Sequence, residues 1–248
     1  MVGIVIRQAL DLDRRLLGPL ALATGLVFLP LAAALLALGL LVPPSARSDQ
    51  GLMIIDAVGS VLLFTPLASL IAVRSAIALE RDGAVAVRRH VGTAFSLLVP
   101  FVLTQLLALL VIAALPLALI GAGLALGVPL LTLLGSAMLL ASGLVNGVRL
   151  AVATTATAVG DARLGPALRR SAALTRGRWL ATLGALLAIL AIGLGIALAL
   201  SLVAAPFPDG AARDAATAVA GLLGNALTVP FVALAQYRLY RELSARSA

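Results

Sequence analysis

The chain has no cysteine, no lysine, one histidine (His90) and one tryptophan (Trp179). Without cysteine there are no disulfides, thiolate metal sites or cysteine nucleophiles. One histidine cannot build a histidine metal cluster within a single chain. Acids are scarce as well: ten Asp and Glu in 248 residues, scattered through the connecting segments. Metal-assisted phosphodiester chemistry needs converging carboxylates, histidines and a metal, and this set does not supply them. There is also no P-loop, no glycine-rich dinucleotide turn after a strand, and no His-Glu-x-x-His. The sequence therefore offers no catalytic, metal-binding or cofactor-binding residues.

What the chain has in excess is apolar surface: 62% of its residues are hydrophobic, and its mean hydropathy is +1.16. Soluble domains are roughly 45–50% apolar, so the natural solvent here is a bilayer. A spanning helix needs about 20 mostly apolar residues. Six stretches qualify, at 16–42, 52–73, 93–120, 128–159, 180–205 and 211–240. The apolar block from Phe95 to Val159 is too long for one span, and the Gly- and Pro-bearing link Gly121–Pro129 divides it. Arg7, Arg14 and Arg15 before the first run imitate a signal peptide. That run exceeds an h-region of about 7–15 residues and reads as a retained span. The expected fold is an all-α integral membrane domain occupying 1–248.

All eighteen basic residues are arginine, and the net charge is +8. They lie between apolar runs rather than on one soluble face, which argues against nucleic acid as the partner. With six spans they sort by side. One side receives Arg7, Arg14, Arg15, Arg74, Arg81, Arg88, Arg89, Arg163, Arg169, Arg170, Arg176, Arg178, Arg238, Arg241 and Arg246. The other receives only Arg47 and Arg213. The positive-inside rule then puts both termini in the cytoplasm, in the cell (inner) membrane. Trp179, Tyr237 and Tyr240 fall at the same inner boundary, a depth that amphipathic rings prefer.

Arg14-Arg15, Arg88-Arg89 and Arg169-Arg170 recur at about 75–80 residues, each ahead of two apolar runs. This suggests a threefold repeat of helical hairpins, although Ala/Leu/Arg-rich sequence can produce the same likeness by chance. The segment 161–178 is the clearest of the three. On a helical wheel Leu164, Leu168, Ala172, Thr175 and Trp179 share one face, and Arg163, Arg169, Arg170 and Arg176 span the opposite arc. The pattern predicts an amphipathic helix lying at the interface. Arg163, Arg169, Arg170, Arg176, Arg178 and Trp179 are its candidate lipid- or partner-binding residues. Anionic headgroups of the inner leaflet are the expected counter-charges.

Within the spans, Gln105, Asn146, Arg149 and Asn225 are the candidate polar positions. Such groups are functional suspects by default, but simple hydrogen bonding between helices is the favoured account of them. Gly143 and Gly147, Ala191, Gly195 and Ala199, and Ala216, Ala220 and Gly224 form stripes suited to close packing, within the chain or between copies. Pro30, Pro66, Pro100, Pro116 and Pro230 should kink their helices.

The run Ala167-Leu168-Arg169-Arg170-Ser171-Ala172-Ala173-Leu174-Thr175-Arg176-Gly177-Arg178-Trp179 resembles a signature of the glycerophosphoryl diester phosphodiesterase membrane domain and of related stand-alone bacterial membrane proteins. The close, Pro230-Phe231 through Tyr237-Arg238-Leu239-Tyr240-Arg241-Glu242-Leu243, is similar to that family's ending, and Pro66 suits the same pattern. Ala172 departs from it, where a Trp is common, and so does Arg238, where an Asp is common. The resemblance implies about six spans and no catalytic residues, because the phosphodiesterase barrel is a separate soluble domain. The expected function is a non-enzymatic membrane module that docks lipids, a membrane-protein partner or a second copy at the cytoplasmic face. The alternative is a small transporter or lipid-handling protein with a path between the helices.

Overall fold

The computed structural model describes residues 2–41, 51, 56, 58–83, 87–207 and 211–247; of residues 13, 15, 17, 35, 36, 38–41, 87–90, 203, 204, 211, 212 and 214 it describes the backbone alone. Arg47, the start of the second apolar stretch and the side chains of Arg15, Arg88, Arg89 and His90 thus lie outside the described residues. Among these residues the chain is helical throughout: α1 (Val2–Leu41), a π-helical turn (Ser60–Phe64), α2 (Thr65–Asp82), α3 (Val87–Leu126), α4 (Pro129–Leu150), α5 (Ala153–Val159), α6 (Gly165–Thr175), α7 (Trp179–Ala204) and α8 (Ala211–Ala245). Five stretches are long and apolar enough to cross a membrane: Ser60–Asp82, Val91–Leu126, Pro129–Val159, Trp179–Leu202 and Ala215–Ala245. α1 adds a shorter apolar stretch, Gly18–Ala34.

The boundaries differ from the hydropathy reading in three places. The second apolar helix runs on to Asp82, because its last turns bury Ser75, Ala76 and Ala78 against the rest of the protein. The turn between α3 and α4 is only Gly127-Val128, with Gly127 at φ 64° and Pro129 at the start of α4. The fourth apolar stretch is not one helix. It breaks after Leu150, and α5 then buries Ala153, Thr155, Ala156, Thr157 and Ala158.

α8 is the central post. It packs along α1, α7 and α2, while α3 and α4 form a hairpin joined to the rest through α2, α5 and α6. The hydrophobic core gathers around Leu16, Leu20, Leu70, Ile71, Leu234 and Tyr237. A second cluster joins Val5, Val152, Ala156, Leu174, Leu239, Tyr240 and Leu243. The Arg-rich end of the molecule is therefore its best-packed end. The α3/α4 hairpin and α7 instead expose leucines, among them Leu110, Leu124, Leu133, Leu140, Leu190 and Leu202. Contiguous apolar surface of this extent is what lipid tails solvate.

Among the described residues the helices of the three hairpins pack on one another to different extents. α3 with α4 and α7 with α8 pack along their lengths, whereas α1 packs chiefly on α8 and only lightly on α2. α6 precedes α7 as a separate helix, while Arg88 and Arg89 already belong to the first turn of α3.

Close approach of backbones occurs at glycines other than those of the sequence stripes. A Cβ on Gly135 would lie 2.9 Å from the Pro116 carbonyl oxygen and the Ile120 nitrogen, and one on Gly123 2.6 Å from the Thr132 nitrogen. Gly143, Gly147 and Gly195 have nothing within 4 Å of a built Cβ. Among the described residues, the Gly143–Gly147 stripe therefore meets no neighbouring helix. Side-chain direction depends on how each helix is rotated, and the spacing of glycines along one strand of sequence does not carry that rotation.

Two of the membrane prolines are answered by polar side chains. Pro116 has no N–H for the Ile112 carbonyl, and Ser142 Oγ donates to that oxygen at 2.7 Å. Asn146 Nδ2 in turn donates to Ser142 Oγ at 3.1 Å. In the π-helical turn Thr65 N–H bonds to the Ser60 carbonyl, so the next carbonyl, Val61, would need an N–H from Pro66. Gln105 Nε2 reaches it at 3.5 Å. Proline in a membrane helix is tolerated when neighbours satisfy the freed carbonyl in this way.

Candidate functional site

The basic end of the molecule is built around the break between α4 and α5. There the helical ladder is interrupted, leaving the Arg149 carbonyl and the Val152 amide without helical partners. α6 lies across the break and supplies both. Ser171 Oγ donates to the Arg149 oxygen at 2.8 Å and accepts from Val152 N–H at 3.3 Å. Ser171 is fully buried, with Ala167, Leu174 and Thr175 on the same face. Small side chains allow this approach, so the face that meets the protein is Ala167-Ser171-Leu174-Thr175. The wheel placed only Thr175 of these on its apolar face. Leu168, Ala172 and Trp179 remain half-buried and Leu164 exposed.

Entry into α6 is strained. Leu164 holds φ 52° and ψ −130°, a backbone conformation that favours glycine. Its N–H bonds to Thr104 Oγ1 at 3.1 Å, and Thr104 also meets Thr157 at 3.2 Å. This buried threonine pair ties α3, α5 and the start of α6 together.

α8 then locks the arrangement through two tyrosines three residues apart, one helical turn. Tyr237 donates its hydroxyl to Glu80 Oε2 at 2.7 Å, and Arg238 Nη1 pairs with Glu80 Oε1 at 2.6 Å. Tyr240 donates to Asp161 Oδ2. Arg170 Nε donates to the Tyr240 hydroxyl at 2.7 Å, with Asp161 3.5 Å from its Nη2. The hydrogen bond that Arg170 donates to Tyr240 holds its guanidinium pKa above the ordinary range. Each tyrosine thus clamps one acid from another element, Glu80 at the end of α2 and Asp161 after α5. The sequence reading took both rings only as interfacial anchors and missed the two acids. The available signal was a pair of tyrosines at i and i+3 opposite rare loop carboxylates.

These contacts divide the candidate arginines into two groups. Arg170 is engaged with Tyr240 and Asp161. Arg178 caps the end of α8, donating to the Leu243 carbonyl at 3.2 Å and the Arg246 carbonyl at 2.5 Å. A cation at that end satisfies orphan carbonyls and complements the helix dipole. Arg163, Arg169 and Arg176 are exposed. Arg163 also faces the half-buried Arg74 of α2, a like-charge neighbour. Arg149, Arg176 and Trp179 line one groove of about 600 Å³, together with Ala172, Ala173, Thr175 and Gly177.

The intramembrane polar set is not gathered in one place. Gln105 and Asn146 serve the proline carbonyls already described. Arg149 belongs to the groove at the basic end. Asn225 lines a different cavity of about 440 Å³ between α7 and α8, with Ser201, Thr217 and Thr228. Among the described residues no three His, Asp or Glu side chains come together as a metal site.

No family model, no curated protein and no solved structure matches this chain.

Proposed function

We propose that this chain is a non-enzymatic, six-span membrane protein with both termini in the cytoplasm, whose basic end docks anionic lipids or a partner at the inner face. The sixth span is α1, whose helix continues beyond Gly18–Ala34 to Leu41. The observation that carries the reading is the partition of the arginines. Arg163, Arg169 and Arg176 are exposed, and among the described residues their side chains form no hydrogen bond or ion pair with the fold. The clamps Tyr237–Glu80 and Tyr240–Asp161 hold this end of the molecule fixed, so the exposed charges are presented on a preorganised surface. The likeness of 167–179 and 230–243 to the phosphodiesterase-associated membrane domain supports the same class, without its enzyme. A transporter with a path through the bundle draws less support, because Gln105, Asn146, Arg149 and Asn225 do not line one cavity.

Native mass spectrometry of the full chain, gently extracted from membranes, tests the reading. The wild type should carry more anionic phospholipid, or a co-purifying protein, than the variant with Arg163→Glu, Arg169→Glu and Arg176→Glu. If the retained species do not change, the docking reading falls. Reporter fusions near residues 47 and 209 should report the outer side, and fusions near 85 and 162 the cytoplasm.

A further inference from the structure

α4 packs along α3 and α7 along α8, but α4 and α7 make only slight contact with each other. At the basic end α6 packs on α4 and is joined to α7 by the short turn through Gly177, and the groove described above opens there. Its lining combines two guanidinium groups, Arg149 and Arg176, with Ala172, Ala173 and the indole of Trp179, and it includes no carboxylate. Among the described residues neither arginine side chain makes an ion pair or hydrogen bond; Arg149 uses only its carbonyl, towards Ser171 and Thr175. Gly177, at φ 75°, lies in the turn between α6 and α7. That turn brings Arg176 and Trp179 to one wall.

We propose that this groove holds the headgroup of one anionic phospholipid, with Arg149 and Arg176 on its phosphate and Trp179 at the glycerol level. The volume lies within the range of small-molecule sites, roughly 300–1,000 Å³. Charge complementarity selects an anion. Two arginines with no acid beside them stay uncompensated until a phosphate arrives, and guanidinium groups suit phosphate oxygens in particular. The apolar wall selects a lipid over a free anion. Exposed leucines on both flanking helices, Leu140 and Leu144 on α4 and Leu180 and Leu187 on α7, provide the surface along which acyl chains continue. Tryptophan at headgroup depth is the ordinary position of an interfacial ring. The inference deepens the docking function proposed above and rests on it, by naming one site and one ligand class.

Because Trp179 is the chain's sole tryptophan, its fluorescence reports this groove alone. The full chain is reconstituted in zwitterionic nanodiscs and titrated with either brominated phosphatidylglycerol or brominated phosphatidylcholine. Quenching by phosphatidylglycerol should reach its midpoint at a mole fraction about thirtyfold below that for phosphatidylcholine, as two surface arginines would give. R149Q/R176Q should bring the two curves together. Coincident curves in the wild type overturn the proposal without any variant having to fold. Separate curves that merge only in R163Q/R169Q also overturn it, and place the headgroup on the outer arc of α6. In both cases lipid retention in the mass-spectrometric experiment decides independently whether docking at this face survives.

Discussion

Ser171 donates its hydroxyl to the carbonyl oxygen of Arg149 at 2.8 Å, across the point where α4 gives way to α5. The Ser171 hydroxyl oxygen in turn accepts from Val152 N–H at 3.3 Å. One buried hydroxyl therefore satisfies both backbone groups exposed by the helix break. This explains why a serine stands between the double arginine and the alanines of α6. It is a structural staple that holds α6 in place beneath the groove.

Ser171→Ala removes the staple, leaving the Val152 amide buried without a partner and the Arg149 carbonyl with only the longer bond from Thr175 Oγ1 at 3.4 Å. A buried group left without a partner costs about 1–3 kcal/mol. The variant should lose stability on that scale in thermal unfolding of the detergent-solubilised protein. An unchanged midpoint would mean that the break is satisfied in some other way.

The two tyrosine clamps should not be equal. Glu80 and Arg238 are three-quarters or more shielded, at 25% and 22% side-chain exposure, whereas Asp161 and Arg170 are at 39% and 45%. Solvent screens the second pair more strongly. Tyr237→Phe should therefore cost about 1–2 kcal/mol and Tyr240→Phe less than about 1 kcal/mol. A double-mutant cycle of Tyr237→Phe with Glu80→Gln measures the first clamp directly. Additive single effects would show that the bond does not contribute.

Ser142 and Pro116 make a reciprocal test. Ser142→Ala orphans the Ile112 carbonyl, for a loss of about 0.5–2 kcal/mol. Pro116→Ala supplies the missing N–H within α3. In the Pro116→Ala background the Ser142→Ala loss should shrink to near zero, read as unfolding midpoints in detergent or bicelles. A loss of the same size in both backgrounds would separate the serine from the proline.

Much of the architecture was legible in order of residues alone, because hydrophobic length is a local property. Runs of leucine and alanine marked the apolar helices, and the scarcity of acids between them left the arginines conspicuous. The break after Leu150 was less visible. The residues that follow it, Ala153–Val159, are as compatible with continued helix as with a turn. They leave the axis because Thr157 and Thr104 pair inside the bundle.

The sequence by itself determined an all-helical chain with long apolar segments and an arginine-rich set of connections, since a helix needs only its own residues to satisfy its backbone and to display its composition. The tertiary structure decided which arginines are free. Arg169 and Arg170 are neighbours in the chain, yet Arg170 turns towards Tyr240 and Asp161 while Arg169 stays exposed. The decision lies in the rotation of α6 about its axis and its position along α8. Packing of Ala167, Ser171 and Leu174 sets both, through contacts with residues far away in sequence.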